Sequence, residues 1–230
     1  MNGRWSLALV GAAIGCSGLT EAEGGVVGIE TGVPGPDTVE VGESIQLSAR
    51  PLDKNGNTAT VPVTWLSADA AASIDASTGV LTGVTPGTAR VQATVGALGS
   101  ELIAFAVVAP ADTLVLPGDS SFTVARDLPV LPDLVARLDS RNPAGPAIGR
   151  GVIYAITSPD PAAASPVVLL TGSVSSDTVA TGSDGTAVAR LIVLPGATAP
   201  DSVVVQVRAE RTRGAVVPGS GARFVVRFQP

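Results

Sequence analysis

Residues able to do chemistry are few in this chain, and their inventory excludes most reaction types. Among 230 residues there is no histidine and one cysteine, Cys16. Ser-His-Asp and Cys-His arrangements, and metal sites built on imidazole, are therefore out of reach. Carboxylates remain. Asp53-Lys54-Asn55-Gly56-Asn57 superficially matches the opening of a calcium loop, but its Gly stands fourth instead of sixth and no Glu stands twelfth. A tight turn accounts for it better, since Asp, Asn and Gly favour turns. No Glu occurs between Glu101 and Glu210, so two cooperating carboxylates would have to be aspartates gathered by the fold, and no spacing marks such a pair. No catalytic residue, metal ligand or cofactor is assigned, and the chain is expected not to be an enzyme.

Cys16 is the one residue with an expected chemical role. Arg4 supplies a positive start, and Trp5 to Gly15 is uncharged and mostly apolar. That stretch is too short to span a bilayer, which takes about 20 apolar residues. It ends at Ala13-Ile14-Gly15-Cys16, which resembles the lipobox of bacterial lipoproteins. The resemblance implies cleavage before Cys16, acylation of its thiol and amine, and a membrane contact through the N-terminal lipid. A secreted chain with one Cys cannot close an internal disulfide, and acylation gives this thiol a use. Several acyl chains would hold firmly, at about 0.8 kcal/mol per buried CH₂. Residues 1–15 then form a lipoprotein signal peptide, and residues 16–25 a flexible tether of small and acidic residues. Ser17 after the Cys fits sorting to an outer membrane. The expected location is the cell envelope, lipid-anchored at the outer membrane or cell surface, or outside the cell if Cys16 stays unacylated.

Loss of residues 1–15 removes Arg4 and leaves 13 basic against 20 acidic side chains, a balance of −7. Nucleic-acid binding needs clustered Lys and Arg, so such a partner is excluded. Basic residues do gather late (Arg208, Arg211, Arg213, Arg223, Arg227). Arg223 and Arg227 share a strand face with Gln229, opposite Phe224, Val226 and Phe228, so a solvated sheet face is expected.

The elements that position these residues are strands. Ile45, Leu47 and Ala49 alternate with Ser44, Gln46, Ser48 and Arg50. After the Asp53–Asn57 turn, Val61, Val63 and Trp65 resume the period of two. Past the Ser77-Thr78-Gly79 and Pro86-Gly87 turns, Ala89, Val91, Ala93 and Val95 alternate with Arg90, Gln92 and Thr94. Successive side chains on a strand point to opposite faces, so these are half-buried strands. Ser67 to Ala76 is the best helical candidate, long enough for a turn or two. The chain is expected to be all-β, with room for two sandwiches of about 100 residues each.

Val41-Gly42-Glu43, Val63-Thr64-Trp65-Leu66-Ser67, Ile74-Asp75, Thr78-Gly79-Val80-Leu81-Thr82-Gly83-Val84 and Pro86-Gly87-Thr88-Ala89 follow in order. That series resembles the bacterial immunoglobulin-like group 2 domain, over residues 26–109. The resemblance implies a sandwich used for display, spacing or adhesion, and it brings no catalytic residues.

Pro110-Ala111-Asp112 marks a boundary and a linker of residues 110–112, short enough to make a stiff rod. From residue 113 to 230 a second sandwich is expected. Leu134, Ala136 and Leu138 alternate with Asp133, Arg137 and Asp139, a strand carries Val152, Tyr154 and Ile156, and Asp184-Gly185 signals a hairpin. Ala187, Ala189, Leu191 and Val193 alternate, as do Val203, Val205, Val207 and Ala209. The order Val135 to Asp139, Asn142-Pro143, Val152 to Ile156, then Thr181 to Ala187 is similar to group 1 bacterial immunoglobulin-like domains of invasin- and intimin-type adhesins. Residues 158–176, rich in Ala, Pro and Ser, are expected to be a lengthened loop, where binding tends to concentrate.

Two functions follow from these readings. The first is a non-enzymatic, lipid-anchored envelope protein acting as a surface spacer, display or adhesion module, meeting a protein or glycan through loops and strand edges. The second is a carbohydrate-binding accessory protein for envelope or extracellular polysaccharide. Sugar binding wants exposed aromatic rings, whereas Trp65 and Tyr154 fall in phase with core residues.

Overall fold

The computed structural model describes residues 23–126, 131–160, 168–170, 175–194 and 196–229. The expected leader, Cys16 and most of the expected tether lie outside the described residues. Ten strands make the first unit: β1 (Val26–Gly32), β2 (Thr38–Glu40), β3 (Ser44–Gln46), β4 (Ser48–Asp53), β5 (Thr64–Ser67), β6 (Ala72–Ile74), β7 (Val80–Gly83), β8 (Gly87–Val95), β9 (Leu98–Gly99) and β10 (Ile103–Val108). One face has the order β2-β10-β8-β5, with β9 beside β8 and β2 parallel to β10. The other is made of β1-β4 and β3-β7-β6. Between them Val39, Leu47, Trp65, Leu81, Val91 and Phe105 form one buried core.

The Ser44–Arg50 alternation holds in its burial, with Ile45 and Leu47 inside and Ser44, Gln46, Ser48 and Arg50 outside. It is nevertheless two strands. At Leu47 the chain leaves β7 and takes up β1 as its partner, while the Leu47 N–H donates to the Gly79 carbonyl at 3.0 Å. The helical candidate at Ser67–Ala76 contains strand β6 and no helix. Ser67 Oγ donates to the Asp69 and Ala72 carbonyls at 3.0 and 3.2 Å, which bends the chain so that Ala72–Ile74 pairs with β7.

The second unit continues with β11 (Thr113–Val115), β12 (Ser121–Ala125), β13 (Asp133–Arg141), β14 (Ala144–Pro146), β15 (Gly151–Ser158), β16 (Val168–Leu170), β17 (Ser176–Ala180), β18 (Thr186–Val193), β19 (Ser202–Ala209) and β20 (Ala222–Gln229). Its sheets run β11-β13-β18-β16, with β14 beside β13, and β12-β20-β19-β15-β17. The protein is thus an all-β chain of tandem immunoglobulin-like sandwiches. Phe224, Val226 and Phe228 point inward and Arg223, Arg227 and Gln229 outward, as the alternation predicts.

Two expectations for this half change. Asp184-Gly185 does turn the chain, with Gly185 at φ 78° and the Asp184 carboxylate accepting from the Thr186 N–H at 3.0 Å. However, β17 pairs with β15 and β18 with β13 and β16, so the turn crosses between sheets instead of closing a hairpin. Within 158–176, Val168–Leu170 is a buried edge strand and not loop. Residues 161–167 and 171–174 lie outside the described residues.

Tyr154 ties the two sheets together. From β15 its ring fills the core, and its hydroxyl donates to the Ala187 carbonyl at 2.7 Å while accepting from the Ala136 N–H at 3.1 Å. Those two residues are register partners on β18 and β13, so the hydroxyl enters their ladder. Burial pushes its ionisation well above the ordinary tyrosine range. Tyr154→Phe leaves both backbone groups short of a partner and is expected to cost about 1–3 kcal/mol in chemical denaturation. An unchanged midpoint would show that the ladder closes without it.

Several carboxylates are held below their ordinary range by bonds that the fold supplies at turns and strand ends. The Asp75 carboxyl is held down to about 2, first by the Thr78 N–H and then by Ser77. Asp53 is lowered chiefly by the Asn57 N–H, Asp184 by the Thr186 N–H, Asp69 by Arg90 and Asp133 by Arg190. A carboxylate with a depressed folded pKa stabilises the fold above its unfolded value of about 3.9 and loses that contribution as pH falls through the folded value. The urea midpoint is therefore expected to hold level from about pH 7 to 5 and to fall from about pH 4 toward 2. A midpoint that held level throughout would contradict the assignment.

Candidate functional site at the joint between the sandwiches

Among the described residues the densest polar cluster lies where the two units meet. Its acceptor side is the turn Glu40-Val41-Gly42-Glu43. The Glu43 N–H donates to the Glu40 carbonyl at 2.9 Å, and Gly42 sits at φ 82°, a turn of the kind that needs Gly in its third position. The neighbours hold the turn in place. Val41 N–H donates to the Val108 carbonyl at 3.0 Å, Gly42 N–H to the Gly83 carbonyl at 2.9 Å, and Gly83 N–H to the Glu43 carbonyl at 3.0 Å. A Cβ at Gly83 would lie 2.5 Å from the Glu40 carbonyl oxygen, so only Gly lets β7 pack this close. The Glu43 carboxylate also accepts from the Glu40 N–H at 2.8 Å.

The donor side belongs to the second sandwich. After β19 the chain turns through Arg211-Thr212-Arg213-Gly214, closed by Gly214 N–H to the Arg211 carbonyl at 2.9 Å, with Gly214 at φ 83°. Arg150 precedes β15. Its backbone is fixed by Thr181, whose Oγ1 accepts from the Arg150 N–H at 2.9 Å and donates to the Ala147 carbonyl at 2.6 Å.

Glu40 joins the two sides. One carboxylate oxygen, Oε1, takes Arg150 Nη2, the Thr212 N–H at 3.0 Å and Thr212 Oγ1 at 3.2 Å. The other, Oε2, takes Arg211 Nη1 at 3.4 Å. Arg150 Nη1 also donates to Thr212 Oγ1 at 2.9 Å. Arg211 Nη2 bonds Asp112, which accepts from the Arg141 N–H at 2.8 Å. Arg213 reaches Glu43 at 2.7 Å and the Pro34 carbonyl at 2.9 Å. Three acids thus meet three arginines. The Glu40 and Arg150 side chains are 3% and 9% exposed. Pairs on open faces such as Arg50–Glu30 contribute about 0–1 kcal/mol each, whereas removing one member of a buried pair strands a charge.

Residues 110–112 belong to this joint. Pro110 and Ala111 are buried, Ala111 within the second core, and the Asp112 N–H donates to the Asp139 carbonyl at 2.9 Å. Arg211 and Arg213, two of the basic residues gathered late in the sequence, reach Glu40, Glu43 and the Pro34 carbonyl of the first sandwich. Glu40 lies 110 residues from Arg150, so proximity along the chain gave no signal. The complementary acidic and Arg-Thr-Arg turns were the only visible hint.

Two clefts flank the joint. One, about 410 Å³, is lined by Pro86, Val107, Ala109, Pro143, Pro146 and Ile148 and is mostly apolar. The other, about 370 Å³, includes Thr38, Arg150, Ile153, Thr178 and Thr212, but Arg150 and Thr212 are already bonded to Glu40. No group of three or more His, Cys, Asp or Glu placed to hold a metal ion occurs among the described residues. Cys16, the only residue assigned a role from sequence, lies outside them. Trp65 and Tyr154 are both buried, so neither ring offers a platform. What this arrangement does chemically is hold two bodies together.

The fold and the joint define a tandem immunoglobulin-like protein. Residues 34–104 match the family model of the bacterial Ig-like domain (group 2), so the first sandwich is a domain of that kind, and it carries Glu40 and Glu43. No curated protein matches the chain. Among solved structures, the adhesin InvE of Yersinia pseudotuberculosis is similar at 16% identity, over 87% of this chain and 59% of that one, with a TM-score of 0.43. The Escherichia coli adhesin FdeC is similar at 14% identity over 88% and 64%, with a TM-score of 0.48. Domains 4 and 5 of the S-layer protein SbsC are similar at 14% identity over 89% and 99%, with a TM-score of 0.34. The chain thus spans about 60% of the length of the two adhesin chains.

Proposed function

We propose that this chain is a non-enzymatic envelope protein, lipid-anchored at Cys16, whose sandwiches serve as a surface spacer, display or adhesion module. The observation that carries the reading is the joint. The densest cluster of charged side chains among the described residues is spent on binding one sandwich to the other, which is what a spacer needs and a catalyst does not. In this reading residues 1–15 are the leader, residues 16–25 the tether, residues 26–109 the first domain, residues 110–112 the linker and residues 113–230 a second domain of the group 1, invasin-like kind. The outer membrane or cell surface is the proposed site, with a protein or glycan as partner. A fatty-acid label fed to expressing cells should enter the wild type and not Cys16→Ser, and the variant should move to the soluble fraction. Equal labelling of both, or membrane retention of the variant, would overturn the anchor. Loss of the C-terminal domain when intact cells are shaved with protease should follow from surface display, and protection would place the protein beneath an outer membrane.

A further inference from the structure

Two domains in one chain are expected to move relative to each other unless a large, hydrophobic interface holds them, and this joint has a buried charge pair in its place. We propose that this joint is a latch that makes the two sandwiches unfold as one cooperative unit, with Glu40 as its central group. The proposal rests on the joint alone and stands whether or not Cys16 is acylated.

The side-chain partners of Glu40 show why. All of them (Arg150, Arg211 and Thr212) come from the second sandwich. Unfolding of the second sandwich therefore strips the Glu40 carboxylate of every bond it makes. In the other direction, unfolding of the first sandwich takes from Arg150 its one carboxylate partner, Glu40, and leaves its guanidinium bonded to Thr212 alone. The loss is not confined to the surface. Glu40 closes β2, next to the fully buried Val39, and its turn is bonded to both β7 and β10. Across the joint, Asp112 ties Arg211 to the Arg141 backbone at the end of β13. Buried Pro110 and Ala111 leave no slack between the two cores. A disturbance of either core thus reaches the other through bonded backbone.

Calorimetry on the chain from Ser17 onward tests this, because that chain keeps every described residue. The wild type is expected to give one transition whose van't Hoff and calorimetric enthalpies agree for the whole chain. Glu40→Gln keeps the side chain's shape, removes its charge and is expected to split the trace into two transitions. Glu30→Gln makes the same change in the open pair with Arg50 and is expected to leave one transition. If Glu40→Gln fails to fold, Arg211→Gln takes its place, in a partly exposed turn. Two transitions in the wild type, or a single one in both joint variants, would overturn the proposal.

Discussion

Arg150→Ala is expected to lower the stability of the joined state by about 3–5 kcal/mol, the range for breaking one side of a buried charge pair. The Glu40 carboxylate would keep Arg211 Nη1 at 3.4 Å and the Thr212 N–H at 3.0 Å. It would lose one of its two guanidinium partners at a carboxylate that is 3% exposed in the wild type. The molecule has one escape, which is to open the joint and rehydrate the carboxylate. The measured loss is therefore the smaller of the burial penalty and the cost of opening. Either way the second sandwich itself should survive, since the Arg150 backbone is held by Thr181 and not by its own side chain. Arg150→Lys should restore only part of the loss, because one ammonium cannot reproduce a guanidinium fork bridging Glu40 and Thr212. Urea unfolding read by circular dichroism checks this, and a loss within about 0.5 kcal/mol, typical of surface substitutions, would mean that the pair is not buried in solution or that the joint opens at almost no cost, and either contradicts a clamped joint.

Trp65→Ala is expected to cost about 3–5 kcal/mol, as large-to-small changes of aromatic core residues do. The indole is 4% exposed. Its face is closed by Gly79, where an added Cβ would lie 2.5 Å from Nε1. The Trp65 main-chain N–H donates to the Ala76 carbonyl at 2.8 Å, and its register partner on β8 is Ala93. A sugar platform would give the opposite result, with glycan binding lost and stability nearly kept. Denaturation of the variant alongside a glycan panel separates the two outcomes. Phe105, Phe224, Phe228 and Tyr154 are buried as well, and half-buried Phe122 is stacked on Phe224 at 6.3 Å.

The alternation of residues was enough to read the strands and not enough to read their partners. Ala89, Val91, Ala93 and Val95 are all buried, because a strand that covers a core must place every second side chain against it. The same period runs through Leu47 without marking the change from β7 to β1, since an extended residue keeps its phase whichever strand it pairs with. Asp184-Gly185 likewise encodes a turn locally, while Thr181, bonded to Arg150 and Ala147, keeps β17 beside β15. The joint was harder still. No motif singles out Glu40 or Arg150, Arg211 stands only among the basic residues gathered late, and only the tertiary fold closes the 171-residue separation between Glu40 and Arg211. Gly42 and Gly83 were visible as turn and motif residues, but their task of placing a carboxylate at a domain boundary was not.

The most direct test of the joint is a spin-label distance between the two sandwiches. The chain from Ser17 onward has no cysteine, so Lys54→Cys and Arg223→Cys, both at exposed positions, place one label on each body. A clamped joint predicts a single narrow distance distribution that broadens when Glu40→Gln is added. A broad distribution in the wild type, unchanged by Glu40→Gln, would contradict it.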